Sequence, residues 1–366
     1  MARQQVNALS LFSGAGGMDL GLHRAGITTT TFCEIDPRAR SVLARHWPGV
    51  PIVEDVRNVD RTVGTPDLVH GGFPCQDVSL AGRRRGMAGE RSGLWWEFHR
   101  ILSELRPAWC LIENVVGLLS SNGGRDMGAI LGALGDLGYG FAYRVLDARY
   151  FGVPQRRRRV FIVGHLGDRR SAQILLEPEG GEGNPEAVGE AGTGIAAESA
   201  RRTDKYRRDE FVGSLTGMDG WERPDNAHAE AGWLRVENHP IAPLMGTVMT
   251  TFDSKNYSNL QEVTSGSVVA INENRQGELR VSDVTPTLST GGGKPGQGYQ
   301  AVLSGLAVRR LTPEECEALM GWPKFWTRWA ADGSEIADTS RYRMCGNGVV
   351  APVAEWLGRR IMEASS

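Results

Sequence analysis

The sequence predicts an α/β protein. Its first half forms a doubly wound, mostly parallel sheet, and a second, smaller, irregular β-rich domain follows. Three observations carry this. Residues 1–166 alternate short apolar runs with segments whose apolar residues recur near helical spacing, the rhythm of βαβ units. A glycine turn, Ser13-Gly14-Ala15-Gly16-Gly17, follows directly on the first apolar run. The texture changes at about residue 167, and residues 211–308 are short Thr-, Ser- and Val-rich runs broken by Gly and Pro, unlike further βαβ units.

Taken in order, the strands fall at residues 8–12, 29–35, 52–56, 67–69, 110–113, 143–146 and 160–163. Residues 94–105 and 127–137 carry the apolar spacing of helices. Residues 177–199 are Gly-, Glu- and Ala-rich with few large apolar groups and read as a disordered or flexible linker. Residues 201–208 are strongly basic. Thr312, Pro313 and Glu315 read as the N-cap, first-turn proline and capping-box acid of a helix over 312–320. A last helix runs from about 350 to 362, with Val353, Trp356, Leu357 and Ile361 on its apolar face.

Composition narrows the function. The 366 residues are 40% hydrophobic and 23% charged, as in an ordinary globular chain of about two domains. A net charge of −2 means that any nucleic-acid surface must be a local patch. The five cysteines are scattered, with no C-x-x-C pair. That argues against a structural zinc site or disulfide framework and fits a reducing cytosol, so no metal is expected. The first residues lack the apolar core of a signal peptide. No apolar run reaches the length of about eighteen residues that a membrane helix needs.

Two stretches carry chemistry. In the first, the glycine turn lies between a strand and a helix, where glycines let a ligand approach the backbone and the helix start offers N–H groups. The third glycine of a dinucleotide fingerprint is replaced by Asp19. Glu34 ends the next strand, where a carboxylate accepts from ribose hydroxyls, and Asp55 ends the third, where it can take an adenine amino group. Together these indicate an adenosine ligand, although each acid also suits a helix cap. In the second stretch, Gly71-Gly72-Phe73-Pro74-Cys75-Gln76 turns the chain sharply after a short apolar run. Cys75 is presented there either as a nucleophile or as a small buried hydrophobe.

The ordered set of residues 11–22, Glu34, Asp55-Val56, 71–79, 91–94, Glu113-Asn114-Val115, 155–159, 310–323 and Gly346-Asn347-Gly348-Val349 resembles the DNA (cytosine-5)-methyltransferases. The resemblance implies a Rossmann-like, class I methyltransferase domain over 1–166, a target-recognition domain over 167–335 and a segment, 336–366, that returns to the first domain. It also implies S-adenosylmethionine as cofactor and S-adenosylhomocysteine as product. Phe12, Gly14, Gly16, Gly17, Glu34, Ile35, Asp55, Val56, Leu94 and Asn347 would bind them. Cys75 would be the nucleophile and Glu113 the proton carrier. Arg157 and Arg159 would be ligands of the base and organisers of acid and nucleophile. Strand alternation puts these two arginines on one side and Arg156 and Arg158 on the other. The family usually has Gly-Asn-Ser-Val where this chain has Gly348, a change expected to matter little because the asparagine is the polar contact.

The implied substrate is cytosine in double-stranded DNA, flipped out of the stack because attack on carbon 6 is perpendicular to the ring. Residues 79–93, with Gly82, Gly86, Gly89 and Gly93 as hinges and Arg83-Arg84-Arg85 as phosphate ligands, are expected to close over it. Thr287-Leu288 resembles a short signature of the family's recognition regions. The tryptophans over 322–329 suit a close-packed hinge better than a base-stacking platform. A monomer in the cytoplasm of a bacterial cell or phage-infected host, with a possible cognate restriction endonuclease, completes the expectation. The rival functions are a tRNA cytosine-5 methyltransferase, an inactive DNA-binding relative and a nicotinamide oxidoreductase. The retained Cys75, Glu113, Arg157 and Arg159 argue against the second, and the incomplete glycine fingerprint against the third.

Overall fold

The structure, a computed structural model, describes residues 5–74, 93–168, 170–175, 212–215, 269–273, 279–282, 285, 287–288, 300–304 and 307–365. Cys75, almost all of the 79–93 stretch, the 177–199 linker and the basic 201–208 run lie outside the described residues. The chain divides into two compact units.

One unit comprises residues 1–72, 146–158 and 243–366. Its strands β1 (Val6–Leu11), β2 (Ile27–Cys33), β3 (Ile52–Val53) and β4 (Leu68–Gly71) lie in the order β3-β2-β1-β4, all parallel. Helices α1 (Gly17–Arg24) and α2 (Pro37–His46) make the first two crossovers. Nearly all of β1 and every residue of β4 are buried, as expected of central parallel strands covered on both faces. Gly71 has no room for a side chain, because a Cβ there would meet the Leu11 carbonyl oxygen at 2.2 Å. The glycine thus lets β4 run close against β1.

Asp19 explains why the third glycine is missing from the fingerprint. Its buried carboxylate accepts from Ser10 Oγ of β1 at 3.1 Å and Thr29 Oγ1 of β2 at 2.9 Å, and lies 3.3 Å from His70 Nε2 of β4. One side chain in the first turn of α1 therefore ties three strands under the glycine turn.

The C-terminal helices belong to the same unit. They are α6 (Pro313–Leu319), α7 (Asp338–Asn347) and α8 (Ala351–Ala364). The start of α6 is as the sequence predicts: Thr312 Oγ1 accepts from Glu315 N, and Glu315 reaches back to Thr312 N. Helix α8 packs against α1, where a Cβ on Gly21 would strike the Ala351 carbonyl and one on Gly358 would meet Ala25 Cβ at 2.8 Å. Val353, Leu357 and Ile361 are buried. Trp356 is only half-buried, set edge-on to Phe151 with Arg360 over its ring. This unit also carries a four-stranded antiparallel sheet, β10-β9-β11-β12, from β9 (Val269–Glu273), β10 (Leu279–Ser282), β11 (Gln300–Ser304) and β12 (Ala307–Arg310).

The second unit comprises residues 73–145 and 159–242. Helices α3 (Leu94–Leu105) and α4 (Arg125–Asp136) flank β5 (Trp109–Val115) in sequence. Then come β6 (Tyr139–Asp147), β7 (Arg158–Leu166), the short α5 (Arg170–Leu175) and β8 (Val212–Leu215). The strand order is β5-β7-β6-β8. Here the sheet departs from the parallel rule, for β7 is antiparallel to β5 and β8 is antiparallel to β6. The connection between β6 and β7 is residues 148–157 alone, shorter than the crossover of about a dozen residues that a parallel return needs. The chain therefore turns back, and the sheet is mixed. All seven strands read from residues 1–166 are present.

Candidate active site

The glycine turn is built as a cradle. Phe12 takes φ 54°, a left-handed conformation that non-glycine residues seldom adopt, and so swings the chain out of β1. Gly14 and Gly16 follow at φ 57° and 77°. Ser13, which the sequence reading passed over, pins the turn to the end of β2. Its N–H donates to the Cys33 carbonyl at 3.1 Å, and its hydroxyl lies 3.2 Å from the same oxygen. The three glycines differ in what surrounds them. A Cβ on Gly16 would strike the Trp47 ring, and one on Gly17 would strike Trp322 and the Val349 carbonyl. A Cβ on Gly14 would meet nothing within 4 Å, so the turn is filled by protein from below and open at Gly14.

Glu34 faces that opening. Its Oε2 accepts from Gly14 N at 2.7 Å and its Oε1 from Asp36 N at 2.8 Å. Burial raises its carboxyl above the ordinary value, and these N–H donors pull the other way with less effect. Ile35, next to it, is 72% exposed, an apolar side chain held beside a polar acceptor. An open glycine, a carboxylate and a bare aliphatic wall fit an adenosyl group: the acid suits the ribose and the isoleucine a purine face. Asp55 behaves differently from Glu34. It caps a 3-10 turn through Arg57 N at 2.9 Å, and Arg57 Nη2 grips its Oδ2 at 2.6 Å. The guanidinium holds its carboxyl below the usual range. Val56, which follows it, is buried.

The tryptophans over 322–329 are structural partners of this cradle. Trp326 Nε1 donates to the Ala15 carbonyl at 2.8 Å, and its ring stacks on His46 with centroids 3.5 Å apart. Asn347 ends α7 and is exposed. Arg157 is 3% exposed, and its Nη2 donates to the carbonyls of Gly346 at 3.0 Å and Gly348 at 2.7 Å. Here Arg157 organises the backbone on both sides of Asn347. Thr287 and Leu288 do not form a free surface turn. Thr287 Oγ1 donates to the Arg156 carbonyl, and Leu288 is buried.

In the other unit, Glu113 lies on β5 and is 8% exposed. Arg159 Nε, from the paired strand β7, is 3.0 Å from its Oε1. The next residue, Asn114, donates from Nδ2 to the Phe73 carbonyl at 3.0 Å, and its own Oδ1 accepts from Val115 N. Asn114 was read only as part of a motif; its side chain anchors the chain two residues before Cys75. Leu94 opens α3 and is half-buried. The four other cysteines, Cys33, Cys110, Cys316 and Cys345, are buried.

The match to known proteins covers the whole chain. The model of the C-5 cytosine-specific DNA methylase family matches residues 6–363. The chain is 31% identical over 367 aligned positions to the type II methyltransferase M2.BsuMI of Bacillus subtilis (strain 168), covering 98% of this chain and 76% of that protein. It is 30% identical over 371 positions to M.FnuDI of Fusobacterium nucleatum, covering 98% and 94%. Two solved structures share the fold. One is an Escherichia coli prophage protein described as a DNA modification methyltransferase, at TM-score 0.58 and 19% identity over 99% of both chains. The other is the S. pombe Dnmt2 methyltransferase, at TM-score 0.56 and 18% identity over 98% of this chain and 99% of that one. The chain belongs to the C-5 cytosine-specific DNA methylases, and it transfers the methyl group of S-adenosylmethionine to carbon 5 of cytosine in DNA.

Proposed function

We propose that the protein methylates one cytosine within a specific duplex word, flipped out of the helix, through a covalent adduct with Cys75. The thiolate adds to carbon 6 while Glu113 gives a proton to N3, which makes carbon 5 electron-rich. The bound cofactor supplies the electrophilic methyl group. Carbon 5 gains the methyl and gives up its proton to a water molecule. Elimination of the thiolate then restores the ring as N3 returns its proton to Glu113. Arg159 holds Glu113 in place and Arg157 sets the backbone around Asn347. Phe12, Gly14, Gly16, Gly17, Glu34, Ile35, Asp55, Val56, Leu94 and Asn347 hold the cofactor. Residues 167–335 read the word through the major groove.

The observation that supports this most is the pair of buried Glu113 on β5 and half-buried Arg159 on β7, with Asn114 gripping the carbonyl of Phe73. A thiol motif and an acid 38 positions apart in sequence (75 to 113) are joined through that grip. The names of the relatives, type II methyltransferases, favour an enzyme of a bacterial cell or phage-infected host that acts beside a cognate endonuclease, and we propose that it does so as a monomer in the cytoplasm. Among the described residues no helix is long and apolar enough to cross a membrane. Bisulfite sequencing of a host that expresses the protein is the test. Protection of one cytosine within a single short word supports the reading. No protected DNA cytosine, with methyl transfer to tRNA instead, overturns it.

The cofactor placement carries its own test at Glu34. Because burial raises this carboxyl, it gains its proton at a higher pH than a free glutamate with the ordinary value of 4.5. Acidification therefore removes the charged acceptor early, in a window above that value. S-adenosylhomocysteine is expected to bind progressively more weakly as the pH is lowered, the loss setting in above the ordinary glutamate value. Glu34→Gln should bind about tenfold more weakly or worse and lose that pH dependence. Titration calorimetry at several pH values checks both.

A further inference from the structure

Trp322 occupies a slot that exists because two residues lack side chains. The ring is 4% exposed, and its Nε1 donates to the Val349 carbonyl at 3.1 Å. A Cβ on Gly17 would lie 2.6 Å from its Cζ2 and 2.8 Å from its Nε1. A Cβ on Gly348 would lie 2.5 Å from Cζ2, 2.6 Å from Cη2 and 2.9 Å from the Met344 carbonyl oxygen. Neither glycine is required by its backbone, since Gly17 is helical and Gly348 is extended at φ −70°, ψ 170°. Space is the reason for both. Gly17 ends the glycine turn and Gly348 follows Asn347, so one indole touches both backbones that line the cofactor. Gly348 is also where the chain departs from the family's usual serine.

We infer that Trp322 is a positioning residue for the cofactor. It holds the glycine turn and the 346–349 backbone at a fixed separation, and glycine at 348 is the counterpart of the indole. A tryptophan at 322 and a serine at 348 exclude one another. Phenylalanine is shorter and lacks both Nε1 and the far ring carbons, so it removes the two closest contacts of a Cβ at 348 and leaves the one with the Met344 carbonyl oxygen. The inference rests on residues 14–17 and Glu34 being the adenosyl site.

The test is a double-mutant cycle in the full chain, read as the dissociation constant of S-adenosylhomocysteine. Gly348→Ser should weaken binding about tenfold or more, the scale of an overpacked interior. Trp322→Phe alone should weaken it only about threefold. The double variant should recover part of the way towards Trp322→Phe and so bind better than Gly348→Ser, a coupling expected of residues in contact. KM for S-adenosylmethionine should follow the same order while kcat at saturation stays constant, which a general loss of folded protein would not produce. Wild-type binding in Gly348→Ser, or a double variant weaker than both singles, overturns the inference. If Gly348→Ser does not fold, recovery of folding and binding in the double variant supports it, and failure of the double while Trp322→Phe folds overturns it. Glu34→Gln is the control: unchanged binding there defeats the placement of the site itself, whatever the tryptophan variants do.

Discussion

Cys75→Ser is expected to lose methyl transfer by about four orders of magnitude or more and to form no adduct with duplex DNA containing 5-fluorocytosine. A hydroxyl is far less acidic than a thiol, of which a few per cent is ionised near pH 7, and its addition to carbon 6 is correspondingly rare. The fluorinated base traps the wild-type enzyme because fluorine cannot leave carbon 5 as a proton does, so the thiolate stays bound. The rest of the chain sharpens this test. Burial pushes the thiols of Cys33, Cys110 and Cys316 up to about 12, and that of Cys345 well above its usual value. The thiolate is the reactive form, so these four are inert in the folded protein. Alkylation of the native enzyme should therefore modify one of the five cysteines, and Cys75→Ser should leave none reactive. Denaturation should expose all that remain. An adduct in the variant, or a second reactive thiol in the native chain, assigns the nucleophile elsewhere.

Much of the architecture was legible because each strand of the first half is a short apolar run closed by a polar or glycine residue. The seven runs in residues 1–166 all became strands, and the capping box at Thr312 formed as written, since both signals are local. Strand direction was not legible. The reversal at β7 depends on the length of the 148–157 connection, which an apolar pattern does not report. The acids show the same boundary. Glu34 and Asp55 both end strands and looked alike in sequence. The fold turns Glu34 to the open glycine and gives Asp55 to Arg57, a partner only two residues away. Asp19 looked like a flaw in a glycine fingerprint and is a strut beneath it. Trp322 and Gly348 are 26 residues apart (322 to 348), and their mutual exclusion is a matter of volume that no motif encodes.

The acid on β5 offers the second large effect. Glu113→Gln keeps the size of the side chain and an oxygen for Arg159, but it can no longer hand over a proton. Loss of a general acid costs about 10²–10⁴ in rate, so kcat should fall by that factor while the affinity for S-adenosylhomocysteine changes little and the melting temperature falls less than in Arg159→Ala, because the amide oxygen still accepts from Arg159. Arg159→Ala acts differently. It takes the guanidinium at 3.0 Å away from a carboxylate that is 8% exposed, and breaking such a pair costs about 3–5 kcal/mol when burial is complete. The melting temperature should fall clearly, along with kcat. Combining the two changes separates chemistry from stability. In the Glu113→Gln background the amide needs no counter-charge, so removing Arg159 should cost much less stability than it does in the wild type. The rate, already without its proton donor, should fall little further. If Glu113→Gln keeps full kcat, the acid is only the anchor of Arg159 and N3 takes its proton from another donor. If the stability losses simply add, the 3.0 Å contact carries no coupling, and Arg159 must act on the base itself.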